Sequence, residues 1–187
     1  MTSRRTTRPW HDIRLPVRRI EARVHGEVPE RREDVWPFDI PAVAQLLREG
    51  LDPGPATVLV GENGAGKSTL VEGIAMAYGL NAEGFRDLFT GPRFTQKFGL
   101  YVFDEPESAL SFTSQLHLLG VLLELMDRGD SQVLMATHSP VLASLPGATL
   151  LQLDEKGYRP VGWEDLDLVD HYRRFLERPE RYLRHLR

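Results

Sequence analysis

One short stretch, from Gly61 to Ser68, restricts the fold of this sequence more than any other. It reads GENGAGKS and matches G-x-x-x-x-G-K-[ST], a pattern whose backbone N–H groups surround phosphate oxygens. Glycines let the backbone turn its N–H groups inward around an anion, where a Cβ would obstruct the turn. The apolar run 57–60 precedes the loop, and a helical apolar pattern covers 69–78 and stops at Gly79. This order of strand, loop and helix predicts a nucleotide site at a helix N-terminus.

Two side chains of the loop carry charge or a hydroxyl toward the predicted phosphates. The pattern assigns the Lys67 ammonium to the β- and γ-phosphates and the Ser68 hydroxyl to Mg²⁺. A chance glycine-rich turn is the alternative interpretation, and the two correct flanks argue against it. The candidate nucleotide-binding residues are Gly61, Glu62, Asn63, Gly64, Ala65, Gly66, Lys67, Ser68 and Thr69.

A second motif follows a short, aromatic-rich apolar run at 100–103, which is typical of a buried parallel strand. The run ends in Asp104-Glu105-Pro106-Glu107. At the end of a strand, Asp104 could hold Mg²⁺ opposite Ser68, and Glu105 could orient or deprotonate an attacking water. The alternative is a solvated acidic turn closed by Pro106.

A third predicted strand, at 131–136, runs into Thr137-His138-Ser139-Pro140. Ser139 followed by Pro140 is a helix-start signal, with serine as the N-cap and proline at the first helical position. His138 therefore sits at the C-terminal edge of a strand, where open α/β sheets bind ligands. A lone histidine in a loop is more often structural than functional, but this location favours a functional role.

The segments GENGAGKST, LYVFDEPESALS and ATHSP together resemble the Walker A motif, the Walker B motif with its catalytic glutamate and D-loop, and the His-switch of ABC-type ATPases. They resemble most the soluble, SMC-like ATP-binding proteins described as AAA-family or ABC-type. The resemblance implies ATP and Mg²⁺ as cofactors, with Lys67 and Ser68 holding phosphate and metal and Asp104 supporting Mg²⁺. It also implies that Glu105 is the general base and that His138 senses the γ-phosphate. Residues 108–110 would form the D-loop of a homodimer or heterodimer that meets at the nucleotide site.

The predicted fold is one α/β domain with a mainly parallel sheet flanked by helices, an ABC-type P-loop domain by the resemblance. We expect it to span residues 15–187, after a basic tail at 1–14, and to have an antiparallel N-terminal part near 19–24. The apolar stretch 111–126 predicts a crossover helix buried between strands. Residues 149–161 read as a terminal hairpin in which Pro160 implies an edge position.

The region between the first two motifs departs from the family pattern. Only about 35 residues separate Lys67 from Asp104, and 81–97 contains no signature motif, which predicts a shortened lid and a reduced helical subdomain. Within it, Gln96 is either a remnant of the Q-loop or an exposed polar residue, and Arg86 and Arg93 are either replacement arginine fingers or solvated loop residues.

Two function classes remain open. One is an ATPase that dimerises on Mg·ATP, as Glu105 favours; the other is a nucleotide-dependent binding module with little turnover that needs a partner's signature motif. A phosphotransferase is weaker, because no acceptor site is evident.

Composition and charge indicate the compartment and the partners that we expect for this protein. The chain has no cysteine, no apolar run of transmembrane length and no apolar core near Met1, so we expect a cytoplasmic protein without membrane insertion. The two ends are rich in arginine although the formal net charge is −4. Such ends either bind nucleic acid or solvate helix faces, and the tail reads as two helices, at 165–177 and 180–187, with apolar side chains available for packing.

Overall fold

The structure, a computed structural model, describes residues 15–21, 35–79, 99–184 and 186. Everything below concerns these residues. The predicted basic tail at 1–14 and the predicted shortened lid at 81–97, with its glutamine and two arginines, lie outside the described residues. Most of the predicted N-terminal antiparallel segment does so as well.

The described chain alternates strands and helices in the predicted order. The strands and α-helices are α1 Pro41–Glu49, β1 Ala56–Gly61, α2 Lys67–Ala77, β2 Gly99–Asp104, α3 Phe112–Arg128, β3 Ser131–Ala136, α4 Pro140–Ala143, β4 Thr149–Asp154, β5 Gly157–Pro160, α5 Asp167–Glu177 and α6 Glu180–Leu183. Two short 3₁₀ helices, Pro106–Ala109 and Trp163–Asp165, follow β2 and β5.

The strands form a single five-stranded sheet in the order β2-β3-β1-β4-β5. The first four are mutually parallel, and β5 pairs with β4 in the antiparallel direction. Because parallel strands end at the same edge, the carboxyl ends of β1, β2 and β3 lie side by side. The mainly parallel α/β fold and the terminal hairpin with Pro160 in the edge strand are therefore confirmed.

Both faces of the sheet are covered, which explains why its strands read as continuous apolar runs. On one face, Val58, Phe103 and Met135 pack with the buried leucines of α3 and with α4 and α5. On the other face, Leu59 and Leu134 pack with α1 and α2. Alternate residues of each strand thus feed two separate cores, and the phosphate loop joins β1 to the helix that covers the second.

The crossover helix α3 begins after Ser111, whose side chain accepts a hydrogen bond from the backbone N–H of Ser114. Its buried side chains are Leu118, Leu119, Leu122 and Leu125. The predicted crossover helix between β2 and β3 is confirmed, but it is not buried between strands, because Leu116 is 46% exposed. The helix covers one face of the sheet and leaves its other side in solvent.

The two C-terminal helices form near the predicted positions, but their apolar side chains contribute little to the core. Val169 is the buried residue of α5, whereas Leu176 and Leu186 are 76% and 79% exposed. Phe175 and Tyr182 instead contact each other edge to face, with ring centroids 5.7 Å apart. The expected packing is therefore mainly between the two helices.

The N-terminal segment contacts the sheet at the end opposite the carboxyl edge. Ile20 and Leu51 form an isolated antiparallel bridge. The fully buried Gln132 donates to the carbonyls of Val17, Pro53 and Gly54 and accepts a hydrogen bond from the N–H of Val17. One amide side chain thus ties residues from three parts of the chain together.

None of the helices in the described residues is long and apolar enough to span a bilayer.

Candidate functional site

The loop between β1 and α2 is shaped by its glycines. Gly64 and Gly66 have φ values of 85° and 90°, in the left-handed region that glycine adopts without strain. A Cβ on Gly66 would also collide with Cγ2 of Ile40, and one on Gly61 would lie 2.6 Å from the carbonyl oxygen of Leu153. The glycines therefore allow both the backbone conformation and the close approach of neighbouring segments.

Lys67, the first residue of α2, is 4% exposed and lies across the loop. Its Nζ donates to the carbonyl oxygens of Gly61 and Glu62, at 2.9 and 3.1 Å. Burial lowers the pKa of Lys67, while the nearby carboxylates, chiefly Glu105 and then Asp104, act in the opposite direction. The loop therefore holds one ammonium group at the N-terminus of an eleven-residue helix, where backbone N–H groups and the helix dipole favour an anion.

Ser68 and Asp104 meet at the next strand end. The Ser68 hydroxyl donates to Oδ1 of Asp104 at 3.2 Å, although the two residues are 36 positions apart in sequence. Burial raises the pKa of Asp104, and Glu105 and Glu72 raise it further, whereas the hydrogen bond from Ser68 lowers it. A cation beside this carboxylate would stabilise its ionised form.

These two oxygen donors fit Mg²⁺. That ion prefers oxygen ligands, and it is usually held by one or two protein groups together with water and substrate phosphates. Within residues 35–79 and 99–184, no group of three or more His, Cys, Asp or Glu side chains could hold a metal without such help. A bound phosphate is therefore part of the predicted coordination.

Glu105 and His138 come together one step further along the same edge. His138 Nε2 lies 3.2 Å from Oε1 of Glu105, without the geometry of a hydrogen bond, and it has no other side-chain or backbone partner among the described residues. The Glu105 side chain is 44% exposed, so water can reach it, whereas the Nε2 atom of His138 is itself buried. The pair joins the predicted base and the predicted phosphate sensor at the ends of β2 and β3.

The backbone of Glu105 is unusual. Its φ of 45° is the only positive value at a non-glycine position among the described residues. Its N–H donates to the carbonyl of Ala136 at 2.9 Å, and its own carbonyl accepts from the N–H of Ser108 at 3.1 Å. A non-glycine residue in this conformation costs roughly 1–3 kcal/mol, and such strain concentrates at functional sites. The turn aims the Glu105 side chain at His138.

Sequence reasoning missed the role of Glu107. Its carboxylate accepts hydrogen bonds from the hydroxyl of Thr137, at 2.8 Å, and from the backbone N–H of His138. In the sequence it is one of three carboxylates in an acidic turn, so only its spacing from Glu105 could have singled it out. The predicted D-loop residues Ser108 and Ala109, which come next, are exposed.

A cleft of about 460 Å³ opens beside the phosphate loop. Residues 61–65 and His138 line it, and Gln152, Asp154 and Asp167 form a further part of its wall. Gln152 is 4% exposed and exchanges hydrogen bonds with the side chain and backbone N–H of Asp167. This wall comes from β4 and the start of α5, and no motif in the sequence marks it.

Comparison with known proteins bears on the strand ends that carry Asp104, Glu105 and His138. A family described as "AAA domain, putative AbiEii toxin, Type IV TA system" matches residues 88–144, which include Asp104, Glu105 and His138. A search of curated proteins found no match at the threshold used.

Among solved structures, the chain is similar to "An inward-facing conformation of a putative metal-chelate type ABC transporter", at 16% sequence identity and a TM-score of 0.39. That likeness covers 63% of this chain and 76% of the other. The family match over 88–144 and the mainly parallel sheet with its phosphate loop agree with a P-loop α/β fold for this chain.

Proposed function

We propose that this chain binds Mg·ATP at the phosphate loop and hydrolyses it, with Glu105 as the general base. The observation that carries the proposal is the contact between Ser68 and Asp104. It places a hydroxyl from the loop and a carboxylate from a separate strand side by side, which suits a cation shared with a nucleotide. Glu105, the next residue, then lies beside the position of the terminal phosphate.

In the proposed binding step, the backbone N–H groups of residues 63–69 donate to the phosphate oxygens. Lys67 exchanges its two carbonyl partners for the β- and γ-phosphates. When bound, Mg²⁺ would neutralise charge that develops on the phosphoryl oxygens. Ser68 and Asp104 are the residues that would hold it.

In the proposed chemical step, Glu105 accepts a proton from water while the water oxygen bonds to the γ-phosphorus. The bond from that phosphorus to the bridging oxygen of ADP breaks, and the electron pair leaves with ADP. His138, at 3.2 Å from Glu105, can donate to a γ-phosphate oxygen and favour the water position in line with the leaving group. The Glu105 side chain is 44% exposed, so water can reach its carboxylate.

A second candidate is a nucleotide-dependent binding module with little turnover. It is favoured by the short segment between Lys67 and Asp104, which contains no signature motif. In that case the binding site of the γ-phosphate would be completed only by a partner chain that meets this one at the nucleotide site. The partner would be a second copy or a different protein. We infer that turnover of the purified chain alone is slow, at least about two decades below the typical 10 s⁻¹.

The test is phosphate release from Mg·ATP, measured against protein concentration. We expect a slow rate whose value per chain rises with concentration if two copies cooperate. Glu105→Gln should lower the rate about 10²-fold or more, the usual scale for a general base, while ATP still binds in calorimetry. Glu124→Gln, an exposed position of α3, is the matched control and should hydrolyse ATP like the wild type.

Two results would contradict the proposal. Hydrolysis by Glu105→Gln at the wild-type rate would remove Glu105 as the base. Absence of ATP binding to the wild type would remove the nucleotide site itself, whereas tight binding without measurable release at any concentration would favour the binding module.

A further inference from the structure

We propose that Glu107 is a positioning residue that sets His138 against Glu105. This inference rests on the proposed function, because it assigns Glu107 a part in the same site. Among the described residues, the carboxylate of Glu107 makes no hydrogen bond to the phosphate loop. It acts on the segment that carries His138.

The contacts of Glu107 bridge two separate segments of the site. The residue lies on the 3₁₀ helix after β2, and its two hydrogen-bond donors lie 30 and 31 positions later, at the end of β3. One donor is the Thr137 hydroxyl and the other is the backbone N–H of His138. One carboxylate thus fixes the main chain of His138 relative to the turn that carries Glu105.

The segment around His138 is anchored on its other side as well. The Thr137 hydroxyl oxygen accepts from the N–H of Ser139 at 3.0 Å, and Thr137 is fully buried. Ser139 caps α4 through the N–H groups of Val141 and Leu142 and donates its hydroxyl to Gln115 on α3. The backbone on both sides of His138 is therefore constrained, while its Nε2 has no hydrogen bond within the described residues.

This arrangement separates the tasks of the two glutamates. Each oxygen of Glu107 accepts one hydrogen bond from the His138 segment, so the carboxylate is engaged in positioning. Glu105 makes no hydrogen bond to that segment through its side chain and faces His138 Nε2 at 3.2 Å. Hydrogen bonds to an ionised acceptor are shorter and stronger than neutral ones, which suits Glu107 to hold a loop in one geometry.

The substitution Glu107→Gln tests this role, because it keeps the size of the side chain and removes its charge. One oxygen becomes an NH₂ group, which can no longer accept a hydrogen bond from the His138 N–H or the Thr137 hydroxyl. A displacement of about 1 Å in a catalytic site can cost 10²-fold in rate, so we expect kcat to fall roughly 10- to 100-fold. ADP affinity should stay within about twofold, since Glu107 makes no hydrogen bond to the described loop and its charge acts on Lys67 less than those of Glu105, Asp104 and Glu62. Glu124→Gln is again the control and should change neither quantity.

A double-mutant cycle with His138→Ala separates positioning from an independent effect. If Glu107 acts through His138, the double variant should be no more than about twofold slower than His138→Ala alone. If the two losses multiply, Glu107 acts by another route and the proposal is overturned. Loss of ADP affinity in Glu107→Gln would also overturn it, because that result indicates general damage to the fold.

A binding measurement keeps this inference separate from the hydrolysis proposal. If the wild type does not hydrolyse ATP, the ratio of ATP to ADP affinity still reports contact with the γ-phosphate. Both His138→Ala and Glu107→Gln should then lower this ratio, which would support the positioning role although hydrolysis had failed. A lowered ratio in His138→Ala with an unchanged ratio in Glu107→Gln would overturn it, and so would an unchanged ratio in both.

Discussion

The phosphate loop and the sheet edge that carries Glu105 and His138 are neighbours in space, yet they are built in different ways. The loop is one continuous stretch from Gly61 to Ser68, whose conformation is set by its own glycines and by the helix that follows. The edge joins two segments about thirty residues apart, which the pairing of β2 with β3 brings together and the contacts of Glu107 with Thr137 and His138 then link. The conformation of the loop is therefore set within the loop itself, whereas the geometry of the edge depends on strand pairing.

The difference predicts how each region fails. A change in the loop should act on nucleotide binding and on folding at once, because the same backbone serves both. A change at the edge should act on turnover and leave ADP binding intact, because its side chains approach only the terminal phosphate in the proposed mechanism.

Gly66→Ala should be the most damaging single change in the loop. Its left-handed φ costs an alanine about 1–2 kcal/mol, and the collision with Ile40 adds about 1–3 kcal/mol, so the free energy of unfolding should fall by about 2–5 kcal/mol. Gly64→Ala is a matched control, because its φ is similar but a Cβ there meets nothing within 4 Å. Urea unfolding of both variants measures the difference. Equal destabilisation would mean that the approach of Ile40 does not constrain the loop.

Lys67→Ala should lower ATP affinity roughly 10- to 100-fold, because it removes charge-assisted hydrogen bonds worth about 1.5–3 kcal/mol. Calorimetry with ATP and with ADP measures the loss. Lys156→Ala, at an exposed lysine in the β4–β5 turn, is the control and should bind like the wild type. If Lys67→Ala binds ATP normally, the loop is not the nucleotide site.

Gln132→Leu tests a second contact between distant segments, at the opposite end of β3. The change keeps the volume and leaves the carbonyls of Pro53 and Gly54 and both backbone groups of Val17 without this partner. We expect a loss of about 1–3 kcal/mol in the free energy of unfolding, with ADP affinity unchanged. A change in ADP affinity, measured where the variant is fully folded, would show that the two ends of the sheet are coupled.

Thr57→Val should have the smallest effect, in the strand that leads into the loop. Thr57 is fully buried, and its hydroxyl has no hydrogen-bond partner among the described residues. Replacing a buried, unsatisfied hydroxyl by a methyl group of similar size should leave stability unchanged or raise it by up to about 1 kcal/mol. Marked destabilisation in urea unfolding would indicate a partner for this hydroxyl.

The sequence predicted most of the elements that the structure contains. The strands at β1, β2 and β3, the N-cap at Ser139 and the edge hairpin all have local signals, namely apolar runs, a serine-proline pair and a proline in the last strand. Burial was predicted less well. Leu116 and Leu176 lie on helices whose apolar residues outnumber the positions that face the core, and the composition of a helix does not reveal which side is covered.

The phosphate loop could be predicted from the sequence, because its glycines, lysine and serine act through backbone geometry within eight residues. The positions of Asp104, Glu105 and His138 at strand ends could be predicted as well, since the apolar runs before them stop there. The contacts of Ser68 with Asp104, of Glu105 with His138 and of Glu107 with the His138 segment are visible only in the folded chain. They depend on the strand order: β3 pairs with both β1 and β2, and this pairing, which no local pattern encodes, brings the three carboxyl ends to one place.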